Sequence, residues 1–496
     1  MLGYLNLNFL ALSYAANKEN FSNNLFPSNK KDELVNKKDS KILLNLNKIE
    51  KIFKENNKEL EILKSRIDQS QRILNSQLSL WYPKVNLNST NLPSYITGFN
   101  KNKNSDDTST EKITTSLNLN LEWDFIDFSR NPNINIAKLN LEKAKLAFKI
   151  KYRELFTENL ELFLRYKSSK EEIKVARQAI AVSEISLRDA NNRFKGGIGN
   201  KLEVLEAATQ LRKDQQFLAK TIGDAQKNKN ILLIKLNLKD KEILLDNENL
   251  GISGIWVTSI KKSILKARNI REEFKDLELD QLINKNDGYL KASSKKPKIS
   301  LYNTYTISSV NGESDVLNPN TSKNTESEEN TVGMKFNWTL FDGGITKENY
   351  KSTKEKEKEL KITYKVREEQ IINDIKNQFI DLNVSMKNIL RSHQQILSAK
   401  EALELALMRL KAGVTNQREV VSNLSDLTDS KSRYIQAVTD YNINIEKLKL
   451  NTGIKELKRC NDFLNTENYV FEDEIYQDIN SNLIKDICNR DVLQES

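Results

Sequence analysis

The chain has 496 residues but only 15 Gly and 6 Pro, so long uninterrupted elements are expected instead of the roughly three ordinary domains its length could hold. Charged residues make up 29% and hydrophobic ones 38%, a balance that suits long solvated helices better than one thick globular core. Lys and Arg outnumber Asp and Glu by 78 to 68, but the signs alternate, as in Lys354-Glu355-Lys356-Glu357-Lys358-Glu359; this describes a solvated helix face and speaks against nucleic-acid binding.

Leu2 to Ala16 is uncharged and largely apolar, and Ser13-Tyr14-Ala15 places small residues where a signal peptidase reads, so residues 1–15 are expected to be a signal peptide. A basic n-region is missing and Asn6 and Asn8 interrupt the apolar run; a frayed terminus, or a true start upstream of Met1, is the alternative. No later segment approaches the ~18 apolar residues of a spanning helix, so any membrane crossing must use strands.

After a first helix, Pro83-Lys84-Val85-Asn86-Leu87-Asn88 and Leu117-Asn118-Leu119-Asn120-Leu121-Glu122-Trp123 alternate with period two. They predict a β-hairpin over 83–124, joined by about twenty polar residues that include Lys101 to Asp107, with a long helix starting near residue 132. In that helix Tyr166, Ile173, Ile180, Leu187 and Phe194 recur every seven residues, with a small-residue row at Ser169, Ala176, Ser183 and Ala190. A Gly turn at 196–199 follows, then a returning helix with Val204, Leu211, Leu218, Ala225 and Leu232.

The whole pattern then occurs again. Arg409-Leu410-Lys411-Ala412-Gly413-Val414 overlies Arg193-Phe194-Lys195-Gly196-Gly197-Ile198, and Leu382, Ile389, Ile396, Leu403 and Leu410 repeat the outgoing heptads. The small row returns as Ser385, Ser392, Ala399 and Ala406, and the returning helix as Val420, Leu427, Tyr434, Tyr441 and Leu448. A second hairpin, over 297–341, contains Pro297-Lys298-Ile299-Ser300-Leu301-Tyr302 and Val332-Gly333-Met334-Lys335-Phe336-Asn337-Trp338, with Ser322 to Glu329 expected in its loop. The first repeat is expected over 40–250, the second over 255–453 with its turn at 412–415, and a C-terminal tail over 454–496. Sustained heptads require left-handed coiled-coil packing.

Four strands with one apolar face cannot close a barrel alone, because small barrels need about eight. Several chains must share one wall, or else the hairpins are soluble and pack on helices. Leu117, Leu119, Leu121, Trp123, Met334, Phe336 and Trp338 form the expected lipid face. Catalytic signals are poor: the one histidine, His393, lies beside Gln394 and Gln395 and is expected to be a solvated helix residue, no metal or cofactor site is indicated, and Gly196 to Lys201 lacks the spacing of a phosphate loop. Cys460 and Cys488 can pair or remain free.

The order helix, hairpin, long helix, Gly turn, long helix, repeated twice over roughly residues 40–453, resembles the TolC family of outer-membrane efflux and secretion proteins. The motifs that carry the resemblance are Trp338-Thr339-Leu340-Phe341-Asp342-Gly343-Gly344, Arg409 to Val414 followed by Glu419-Val420-Val421, and Asp440-Tyr441, Leu448 and Gly453. The first copy departs from it, with Phe128-Ser129 where the second has the Gly pair. The resemblance implies a mainly α fold with a small β part: coiled-coil hairpins in two repeats, and four strands per chain contributing to a trimeric 12-stranded transmembrane barrel. It implies a homotrimeric channel-tunnel in outer-membrane lipid that is not an enzyme and takes no cofactor. Its partners would be a periplasmic adaptor, or membrane fusion protein, and an inner-membrane ABC or RND transporter, serving efflux or type I secretion. Arg193, Gly197, Ile198, Arg409, Gly413 and Val414 would form adaptor-docking turns, and Glu419, with Glu203, an acidic entrance gate. A structural coiled-coil scaffold, or a periplasmic adaptor without a channel, is the alternative.

Overall fold

A computed structural model describes residues 41–101, 103, 107–238, 242–245, 250–313, 324–454 and 457. The expectations for residues 1–15, for Cys460 and Cys488 and for nearly all of the tail lie outside these residues. The elements are β1 (Lys41–Leu44), α1 (Leu46–Asn56), α2 (Lys58–Leu78), β2 (Lys84–Asn100), β3 (Thr108–Ile126), α3 (Arg130–Lys195), α4 (Lys201–Lys235), β4 (Glu242–Leu245), α5 (Ile260–Ile270), α6 (Glu272–Ser293), β5 (Lys298–Glu313), β6 (Asn324–Asn337), α7 (Ile345–Lys411) and α8 (Gln417–Thr452).

The outgoing helices α3 and α7 have 66 and 67 residues, so each runs about 100 Å at 1.5 Å per residue, many times an average helix. No single core stabilises such lengths. Each helix instead gives a heptad seam to its returning partner, α3 to α4 and α7 to α8, and α3 also packs along α8 so that the repeats lie side by side. The second seam is buried throughout, from Leu382 to Leu410. The first opens toward its turn: Tyr166 and Ile173 are buried, but Phe194 is 42% exposed where its counterpart Leu410 is 7% exposed.

Two clusters thicken the helices near mid-length. One gathers Leu44, Phe53, Leu155, Phe163, Tyr166 and Leu232, and the other packs Trp256 edge-on against Phe379 with Ile375, Met386 and Tyr441. The segment between the repeats is pinned to α8, because Tyr441 Oη donates to the Gly254 carbonyl (3.0 Å) and Asn442 Nδ2 to that of Gly251 (2.9 Å). Parallel pairing of β1 with β4 joins the start of the first repeat to this connection.

The hairpins unite in one antiparallel sheet of order β2-β3-β5-β6, with β2 and β6 at its edges. The strands reach further than the alternation predicts. Residues expected in loops continue the ladder: Thr108 pairs with Asn100, and Thr325 and Glu326 pair with Val310 and Ser309. The ladder is held by backbone hydrogen bonds, which carry no side-chain signature, so polar residues on both faces conceal it. A transmembrane strand needs about 9–11 residues, and the 19 of β3 extend well beyond a hydrocarbon core.

Candidate channel wall and helical tips

The register sorts the sheet into two faces. Leu119 stands opposite Leu87 and Tyr305, Leu121 opposite Val85, Leu117 opposite Ile307, and Leu301 between Trp123 and Met334. Residues directly opposite share a face, so Leu117, Leu119, Leu121, Trp123, Met334 and Phe336 lie on one surface, and all but the half-buried Trp123 are exposed. The other face carries Asn86, Asn118, Asn120, Thr304, Thr306 and Lys335, with Thr306 Oγ1 donating to Asn118 Oδ1 at 2.8 Å.

At the helical end of the sheet both tryptophans do the same work. Trp123 Nε1 donates to the Trp81 carbonyl (2.9 Å) and Trp338 Nε1 to that of Lys295 (3.0 Å), tying each returning strand to the start of its hairpin. Beyond them the chain turns into α3 or α7. In the second copy Gly343 and Gly344 adopt φ of 65° and 96°, and Asp342 accepts from the backbone N–H of Gly344 (3.0 Å) and Thr346 (2.9 Å). The Thr346 hydroxyl and these N–H groups hold the Asp342 carboxyl well below the usual carboxylate range. In the first copy Asp127 accepts from the Ser129 N–H (2.8 Å) and hydroxyl (2.6 Å), with no residue at positive φ. The buried Arg130 secures that turn, its guanidinium 4.2 Å from the Trp81 ring centroid and donating to the Asp124 carbonyl. The sharp turn is thus present in both copies despite the missing Gly pair.

The opposite ends of the helices carry matched tips. The Ile198 N–H donates to the Arg193 carbonyl (3.0 Å) and that of Gly197 to Phe194 (3.1 Å); Val414 to Arg409 (3.0 Å) and Gly413 to Leu410 (3.1 Å) repeat this. With Gly197 and Gly413 at φ of 74° and 75°, these are Schellman closures. The next helix begins two residues later, where Asn200 accepts from the Glu203 N–H (3.0 Å) and Asn416 from that of Glu419 (3.3 Å). Asn followed three residues later by Glu is a helix-start signal, and both tips carry it. Ile198 and Val414 project outward, 72% and 68% exposed.

Neither of the acids expected at the entrance is bare. Arg193 Nε lies 3.8 Å from Glu203 Oε2 and Arg409 donates to Glu419 Oε1 at 2.7 Å, so each acid faces the arginine ten residues before it. Glu203 is buried, whereas Glu419 is partly exposed and also receives the Thr415 hydroxyl. Arg193 donates to the Leu410 carbonyl as well (3.2 Å), and Arg418 pairs with Glu206, which ties the two tips together. Higher up, burial raises the Asp214 carboxyl, whose partners are Ser183 and Gln210, and lowers the Lys431 amine, which Lys400 lowers further. His393 departs from expectation: it is 6% exposed and lies beside Tyr434, with ring centroids 6.3 Å apart. Its place four residues after Ile389 and three before Ile396 puts it on the seam, a spacing that outweighs its polar neighbours.

Among the described residues no helix is long and apolar enough to cross a membrane. A family model described as outer membrane efflux protein matches residues 51–234 and 290–453, most of the chain. The chain belongs to the outer membrane efflux protein family. Solved channels share the fold. The outer-membrane channel OprN aligns with a TM-score of 0.67 at 14% identity, over 82% of this chain and 89% of that one. VceC from Vibrio cholerae aligns at 0.66 and 14%, over 82% and 96%, and CmeC from Campylobacter jejuni at 0.66 and 14%, over 82% and 85%. No curated protein matches the sequence. As a member of the efflux family the chain is an outer-membrane channel-tunnel for efflux, with its helices in the periplasm. Members of this family are channels and not enzymes, and membership implies trimers that work with pump components. The scaffold and adaptor alternatives give way to this assignment.

Proposed function

We propose that three copies close one barrel, β6 of each pairing with β2 of the next, so that three four-stranded sheets give twelve strands around a single lumen. The observation that carries this reading is the open sheet with two free edges, one apolar exposed face and one polar face. β2 and β6 run in opposite directions, so the new seam is antiparallel like the others. The apolar face from Leu117 to Trp123 and from Met334 to Trp338 meets lipid, and the Asn and Thr face lines the lumen. Leu119→Arg should cost about 2–4 kcal/mol near the midplane and sharply lower the yield of outer-membrane trimer, whereas Asn120→Arg on the other face should leave it. Equal trimer yields for the two variants would overturn the face assignment.

The tips take the docking role. Ile198 and Val414 offer exposed apolar contacts on rigid turns braced by Arg193–Glu203 and Arg409–Glu419, which suits a periplasmic adaptor linked to an inner-membrane ABC or RND transporter. Replacing Gly197 and Gly413 together with a bulky residue should abolish export and leave the trimer intact. Around the axis, Glu419 supplies the entrance carboxylates and Arg409 masks them, so the gate's charge depends on whether that pair is closed.

A further inference from the structure

A cavity of about 820 Å³ opens where the two repeats meet near mid-length of the helices, between α1, α2, α3, α5, the start of α6 and α8. Its floor is an aromatic ladder on α3: Phe148 stacks on Tyr152 (6.5 Å between centroids) and Tyr152 on Phe156 (6.0 Å, rings 3° from parallel), with Phe53 beneath the last two. All three ladder rings are only half-buried, so apolar surface faces the opening. The rim is basic. Lys54, Lys64, Lys149, Arg153 and Lys449 surround it against Glu50, Glu272 and Glu446. Lys54, Arg153 and Lys449 are paired with acids, while Lys64 and Lys149 are exposed and meet no acid among the described residues.

Two features point to the occupant. Helix α8 ends at this site: Lys449 and Leu450 line the cavity, and at Gly453 (φ 67°) a Cβ would stand 2.9 Å from Ile270, another lining residue. The chain beyond leaves from beside the rim, Ile454 and Leu457 packing on the neighbouring Trp256–Phe379 cluster. It is also chemically complementary, for between Cys460 and Ile484 it carries Asp462, Glu467, Glu472, Asp473, Glu474 and Asp478 and no Lys or Arg. Tyr469, Phe471 and Tyr476 bracket the densest acids. Tyr469 lies twelve positions beyond Leu457, a reach of up to about 40 Å, so distance sets no obstacle.

We propose that the segment around residues 469–476 docks in this cavity, its aromatic side chains on the Phe148–Tyr152–Phe156 ladder and its acids toward Lys64 and Lys149. Because the walls come from both repeats, the docked segment joins them from outside, as the β1–β4 pairing does elsewhere.

The test uses the full-length trimer with Cys460→Ser and Cys488→Ser, and places Lys149→Cys with Glu472→Cys under mild oxidation. A disulfide within one protomer, identified by mass spectrometry of the linked peptides, is the expected result, with Asp491→Cys and Phe26→Cys failing to link to the same position. A link between protomers, a link from Phe26→Cys, or none from Glu472→Cys overturns the proposal. As a second measurement without cysteine changes, acylation of Lys64 and Lys149 should be several-fold slower in the native trimer than with Glu472, Asp473 and Glu474 changed to Lys. The protection should fade at high salt, since partly exposed ion pairs are screened. Equal rates in the two proteins would also overturn it, and would leave the cavity to a small ligand.

Discussion

The two repeats share a plan and differ in how each secures its strand-to-helix turn. The second relies on backbone freedom, with Gly343 and Gly344 at positive φ and Asp342 gathering the N–H groups they expose. The first has ordinary backbone and relies on side chains, the Arg130 guanidinium anchored on Trp81 and the Asp124 carbonyl. The difference teaches that a duplicated turn is preserved as a direction of the chain, and that a missing Gly pair means little where an anchor stands one residue further on. The tips vary in the opposite sense: their Schellman bonds and Asn caps are the same in both copies, while the seam leading to them is tight at Leu410 and loose at Phe194.

The largest effect is expected where the repeats hold each other. Arg153 of α3 reaches Glu272 and Glu273 of α6, and Arg271 completes the cluster. Arg153→Ala should lower the stability of the detergent-solubilised trimer by about 3 kcal/mol, measured as a shift of the denaturant midpoint, since it leaves buried carboxylate behind. The same cluster gives a pH dependence. Burial alone would raise the Glu273 carboxyl, but hydrogen bonds from Arg271 and Arg153 outweigh it and hold the pKa at about 2, below the usual 4.5 of a glutamate. A depressed carboxylate stabilises fully above its unfolded value, and that contribution fades as pH falls from 4.5 toward 2. Stability should therefore drop between pH 5 and pH 3, and Glu273→Gln should flatten that drop; an equally steep drop in the variant would deny the group this role.

Next come the turns. Arg130→Ala should cost about 2 kcal/mol, whereas Ile345→Ala at the matching exposed position should stay within about 0.5 kcal/mol. Gly344→Ala should cost about 1–2 kcal/mol for its left-handed backbone, and Ser129→Ala less than that. If thermal midpoints of the four variants fell in matched pairs, the two turns would not be built differently. The smallest effects are expected at the tips and in selectivity, not stability. Planar-bilayer reversal potentials should show weaker cation preference for Glu419→Ala and stronger preference for Arg409→Ala, which unmasks the carboxylate. Changes of the same sign in both would break the proposed masking.

The parts legible in the sequence are those with a period. Heptads from Tyr166 and from Leu382 marked the long helices, alternation at Leu117 to Trp123 marked the strands, and the repeat placed both Gly turns. Features lacking a period stayed hidden. The outer halves of the strands lose the strict apolar alternation, the β1–β4 pairing joins four-residue segments some 200 positions apart, and the acids' arginine partners become neighbours only once each turn is closed. Asn200, Asn416 and the buried His393 are marked only by cap spacing and seam position, signals that the polar residues beside them obscure.

The free edges of the sheet carry a genetic consequence. A protomer whose β2 edge is spoiled but whose β6 edge is sound can still join a neighbour, and so spoils a ring built mostly of good copies. If spoiled and normal chains are made in equal amounts and mix at random in a three-membered ring, roughly one ring in eight escapes. Edge lesions at β2 or β6 should thus be dominant, and lesions that prevent a protomer from folding recessive.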